Sequence, residues 1–113
     1  MSRKELGCPG HFIAVNHCRF RRHTQIGTKY RVSTVGDYFP DDRSERKPIG
    51  AGQDSFFETL VFQTVGKPAA KNEGCGCLEV KDWCESDGRR YATAGAAQAG
   101  HEAFVRKYLR RTK

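Results

Sequence analysis

Ten residues constrain this chain more than any others: Phe56-Phe57-Glu58-Thr59-Leu60-Val61-Phe62-Gln63-Thr64-Val65. The run is rich in β-branched and aromatic side chains, and near its middle it is apolar on both faces. A strand of that kind belongs at the centre of a sheet, with neighbours on both edges and cover on both faces. The 113 residues available can build one such core but not two. A single domain, 1–113, is therefore expected.

The neighbours are legible in part. His11-Phe12-Ile13-Ala14-Val15-Asn16-His17-Cys18, preceded by Pro9-Gly10, reads as a strand that continues through Arg19-Phe20-Arg21-Arg22-His23. Alternation puts Phe12, Ala14, Cys18 and Phe20 on one face and His17, Arg19, Arg21 and His23 on the other. Gly27 supplies the positive φ of a tight turn, and Lys29 to Val35 returns as a second strand ending at Gly36-Asp37. Both faces of this hairpin mix polar and apolar residues, so its register stays open. Arg89-Arg90-Tyr91-Ala92 reads as a short last strand. Thr93 then caps a helix from Ala94 to about Arg110. Ala94, Ala97, His101, Phe104, Val105, Tyr108 and Leu109 form its buried stripe. The expected architecture is α+β: a small antiparallel sheet of three to four strands with the C-terminal amphipathic helix packed on one face. Phe56, Leu60, Phe62, Phe104 and Tyr108 are its expected core. Residues 1–9 are expected to be flexible, and 40–54 and 66–76 to form long loops.

Seven Phe, four Tyr and one Trp argue against disorder, although 29% of the residues are charged. No apolar run approaches the ~20 residues of a membrane helix. The opening Met1-Ser2-Arg3-Lys4-Glu5-Leu6-Gly7-Cys8-Pro9 has no apolar export region. A cytoplasmic protein without a membrane partner is expected. The net charge of +7 is unevenly spread. Residues 6–36 carry Arg19, Arg21, Arg22, Lys29 and Arg31 and no acid; residues 103–113 carry Arg106, Lys107, Arg110, Arg111 and Lys113 and no acid. Between them, residues 37–88 hold eleven acids against six bases. Basic segments of this kind attract phosphates or an acidic partner.

Arg19, Phe20, Arg21, Arg22 and His23, with Tyr30 and Arg31 returning opposite, combine guanidinium forks with rings able to stack on a base. This hairpin is the expected contact surface for an acidic protein or a nucleic acid. The helix end, Arg106, Lys107, Arg110 and Arg111, is a secondary one. An ordinary solvated hairpin with Phe20 turned into the core is the plain alternative. A homodimer is compatible with either reading.

Catalysis needs a nucleophile with a base, paired carboxylates or an open metal site. His11, His17 and His23 share one strand face but are spread too far along it to act on one atom. Asp37, Asp41 and Asp42 are ordinary turn formers, and no GxSxG, HExxH or phosphate-binding loop is present. A non-enzymatic role is expected, a His/Asp enzyme being the alternative. Five cysteines in a chain with no export signal do not predict a disulfide framework. Cys75-Gly76-Cys77 with Cys84, completed by Cys8 or His11, offers four zinc ligands, yet no CxxC knuckle is present. The expectation is no cofactor, with a zinc-stabilised nucleic-acid-binding module as the alternative.

Gly10-His11-Phe12, Cys18-Arg19-Phe20, Tyr30-Arg31-Val32-Ser33-Thr34-Val35-Gly36-Asp37-Tyr38, Phe57-Glu58-Thr59-Leu60-Val61-Phe62 and Ala99-Gly100-His101-Glu102 together resemble segments of small uncharacterised phage and prophage proteins. The resemblance implies expression inside a bacterial host and a partner there, as in host takeover or anti-defence. It implies no activity and carries over no catalytic residue.

Overall fold

A computed structural model describes residues 3–6, 18–39, 45–49, 53–68, 78–81 and 85–111. In chain order these form β1 (Arg3–Glu5), β2 (Cys18–Ile26), β3 (Tyr30–Tyr38), β4 (Phe57–Pro68), β5 (Leu78–Val80), β6 (Asp87–Tyr91) and α1 (Ala94–Arg111). Every pairing is antiparallel; β1, β2, β3 and β4 are neighbours in that order. β6 and β5 follow one another along the edge of β4 away from β3, opposite Phe57–Val61 and Thr64–Pro68 respectively. The α+β class and the C-terminal helix are as expected. The sheet has six strands, not three to four. The extra ones, β1 and β5, have three residues each, too few for any periodicity to show. β1 also corrects the expectation of a flexible start as far as residues 3–6 are concerned. Arg3, Lys4 and Glu5 pair with Ile26, Gln25 and Thr24, and the Leu6 N–H donates to the His23 carbonyl at 2.8 Å. Gly66–Pro68, expected in a loop, belong to β4.

The registers build one face for the helix. Phe20, Gly36, Phe57 and Tyr91 stand in one row across β2, β3, β4 and β6; Thr24, Val32, Val61 and Asp87 form another. Val105 and Tyr108 of α1 bury against Ile26, Val32 and Val61, and Ala97 against Phe57 and Tyr91. Phe62 and Tyr108 are buried as expected, whereas Phe56, Leu60 and Phe104 are half-buried; of the Phe56-Phe57 pair it is Phe57 that is fully buried. Gly36 explains how Phe57 fits: a Cβ there would lie 2.0 Å from the ring. At the first turn of α1 the Ala96 N–H donates to Thr93 Oγ1 at 3.1 Å, the expected cap. Gly27, with φ 53°, turns β2 into β3.

Two polar devices set the helix position. Thr24 Oγ1 donates to Glu5 Oε2 at 2.8 Å, and a hydroxyl has one proton to give. It must therefore accept from His101 Nε2, 2.8 Å away. His101 Nδ1 is then an acceptor for Thr34 Oγ1 at 2.6 Å, and Thr34 in turn accepts from Thr59 Oγ1 at 2.6 Å. The carboxylate of Glu5 thus orients a chain of four hydrogen bonds through the core and fixes His101 as its neutral Nε2–H tautomer. Burial, with Arg22 nearby, lowers the imidazole to about 4. Beside this chain, Glu102 accepts from Arg3 at 2.7 Å and pairs with Arg22 at 3.0 Å. The Arg3 hydrogen bond foremost pulls its carboxyl down to about 2.

Candidate binding surface

The hairpin residues do not form one exposed patch. Of the seven singled out, Arg19 and Arg21 are exposed, Phe20, Arg22 and Tyr30 are half-buried, and His23 and Arg31 are buried. The reason is position: Phe20, Arg22 and Tyr30 stand on the face of β2 and β3 that α1 covers. Phe20 meets the Phe57 ring edge-on at 5.3 Å, and Tyr30 packs on Tyr108 at 4.6 Å. Arg22 is consumed by Glu102 and Glu5. His23 Nδ1 and Ser33 Oγ are 2.9 Å apart on the sheet face away from α1. The Arg19 guanidinium lies 3.9 Å over the Phe39 ring. Of the seven, the structure therefore leaves two cations, Arg19 and Arg21, exposed to a partner.

Four of the seven described acids of the middle segment are held in ion pairs. Asp37 binds Arg46, Glu79 binds Lys67, Glu58 binds Arg90 and Asp87 binds Lys107. Asp37 holds a left-handed φ of 51°, which short polar side chains tolerate best. Lys107 foremost, helped by the Tyr108 hydroxyl, holds the Asp87 carboxyl below its ordinary value. The chain keeps a basic excess, +7 in all.

That excess concentrates at the C-terminal half of α1. Arg106 and Arg110 are exposed and face solvent one turn apart, with no ion pair among the described residues. Lys107 lies on the flank toward β6, 2.6 Å from Asp87. Arg111 stacks over the Tyr108 ring at 5.0 Å. β6 continues the surface: Asp87 is held by Lys107, and the Tyr91 ring seats against Gly100. Arg89, between these two points on the helix side, is exposed. In the sequence Arg89 and Arg90 read only as strand residues. Two adjacent arginines in an edge strand were the available signal, since one must face each side of the sheet.

The expected zinc ligands Cys8, Cys75, Cys77 and Cys84, with His11, and the candidate catalytic residues His17, Asp41 and Asp42 lie outside the described residues. Among the described residues no group of three or more His, Cys, Asp or Glu side chains could hold a metal. Cys18 is buried with Val35 and Ile49, and burial pushes its thiol up to about 11, which makes it an unreactive core residue. No described helix is long and apolar enough to cross a membrane. No protein-family model matches the chain, and neither curated proteins nor solved structures gave a match.

Proposed function

We propose that this protein is a non-enzymatic binder of an acidic macromolecule, and that it grips this partner with the C-terminal half of α1 and the adjoining β6. The observation that carries this reading is the contrast between two basic segments. Arg22 and Arg31 of the hairpin are taken up by the fold, while Arg106 and Arg110 are exposed and unpaired among the described residues. Lone cations on a rigid helix cost no internal ion pair when they meet a carboxylate or phosphate. The resemblance to phage-encoded proteins supports a partner inside a bacterial cell, where such a binder would act by occupying host machinery.

The test compares two double charge reversals, Arg106→Glu with Arg110→Glu and Arg19→Glu with Arg21→Glu. Binding is read by fluorescence anisotropy against a labelled poly-glutamate and a labelled duplex DNA. The helix variant should lose binding and the strand variant keep most of it. The reverse result would return the contact surface to the hairpin. For DNA, the slope of log affinity against log salt should flatten by roughly 0.9 for each phosphate contact removed.

A further inference from the structure

β6 carries a second property besides charge. It pairs with β4 along one edge only, and no other described strand pairs with it. Gly88, Arg89 and Arg90 are exposed. Along the outer edge of an antiparallel strand, alternate residues point their N–H and C=O away from the sheet, and these groups form a template for another strand. The five residues of β6 therefore offer main-chain hydrogen bonds beside the cations of α1.

We infer that the acidic partner is an extended polypeptide segment that adds to the outer edge of β6 as a further strand, its carboxylates meeting Arg89 and Lys107. This rests on the binding surface proposed above and names what it takes. Charge complementarity decides between the candidate occupants. In an antiparallel pairing of β6 with β6 of a second copy centred on Arg89, that arginine would face its own equivalent, and like charges directly opposite destabilise a sheet. A segment alternating acidic and apolar residues has the opposite property. On the helix side its carboxylates would find Arg89, exposed, and Lys107, whose side chain is 44% exposed although paired with Asp87. On the same side the Lys107 ammonium lies 5.8 Å from the ring centroid of the half-buried Phe104, which holds this cation beside β6. Addition of a strand to an exposed edge gains affinity from the main chain and selectivity from alternate side chains, and Arg89 disfavours self-pairing in the register centred on it.

The experiment uses the full chain and three labelled probes: a short peptide alternating glutamate and valine, the same peptide N-methylated at alternate residues, and a duplex DNA. Affinity is read by anisotropy, and amide hydrogen exchange is followed across β6. The unmodified peptide should bind and slow exchange at β6. N-methylation, which leaves the charge unchanged, should weaken it at least about tenfold, and Arg89→Glu should weaken it comparably. Equal binding of the two peptides with no protection at β6 would overturn strand addition while leaving the basic surface in place. Binding of DNA but not of either peptide would overturn it too. Binding of all probes unchanged by Arg106→Glu with Arg110→Glu would instead remove the surface on which the inference rests.

Discussion

His101 on α1 donates its Nε2–H to the hydroxyl of Thr24 on β2 across 2.8 Å, and the direction of that bond is set by Glu5, one strand further out. A histidine in the apolar stripe of a helix is normally a misfit. Here the sheet supplies a threonine for each ring nitrogen, and the helix can dock only where both are in reach.

The pH dependence of stability follows from this arrangement. The folded value of about 4 lies below the ordinary 6.5, so the unfolded chain takes up the proton first as pH falls. The contribution is complete above pH 6.5 and is lost toward pH 4, on the order of 3 kcal/mol in all. Glu102, held down to about 2, acts only below its own ordinary 4.5 and so adds nothing in the window above it. Denaturant unfolding at several pH values should show stability falling across that window, and a flatter profile in His101→Gln. Parallel profiles would assign the pH dependence elsewhere.

Two glycines of the same helix should respond oppositely to alanine. Nothing lies within 4 Å of a Cβ at Gly95, whereas one at Gly100 would lie 2.1 Å from the Tyr91 hydroxyl. Gly95→Ala should stabilise by up to about 1 kcal/mol through helix propensity. Gly100→Ala should destabilise by about 1–3 kcal/mol through overpacking. Thermal melts of the pair decide the matter, and a rise in Tm for both would mean that Tyr91 is free to move.

Removing the charge of Glu102 should loosen the helix from β1 and β2. Glu102→Gln keeps the size but leaves Arg3 and Arg22 sharing a neutral acceptor, at a cost of about 1–3 kcal/mol. Added salt should weaken the wild type more than this variant. An identical salt response would show that the cluster contributes nothing measurable.

Phe57→Ala should cost about 3–5 kcal/mol and Phe104→Ala clearly less, because Phe57 is 1% exposed and Phe104 only half-buried. Urea midpoints at constant m-value test the order. A larger loss at Phe104 would place the main core on the wrong side of α1.

The helix, its Thr93 cap, the Gly27 turn and the central strand were legible because each rests on local pattern: a period, a capping hydroxyl, a positive φ. The phase of β4 was harder. Phe56 and Phe57 are equally apolar, and only Gly36 opposite Phe57 decides which ring goes inside. Which basic segment stays exposed was hidden for a related reason. Charge counts along the chain put Arg19–Arg31 and Arg106–Arg111 on equal terms, while the fate of Arg22 depends on Glu102, eighty residues away. A strand as short as Arg3-Lys4-Glu5 has no pattern to read; its place is set by what its side chains find on β2 and α1.

The bond from Arg3 to Glu102 spans 99 positions of sequence and so closes a loop of nearly the whole polypeptide. Closing a loop of that length costs more chain entropy than any local pairing in the sheet, and contacts of that separation slow folding. Synthesis from the N-terminus also delivers β1 long before α1 exists. The clasp between β1 and α1 should thus close last, and a ribosome-bound chain stopped before Glu102 should leave Arg3–Glu5 more open to proteolysis than the full chain does.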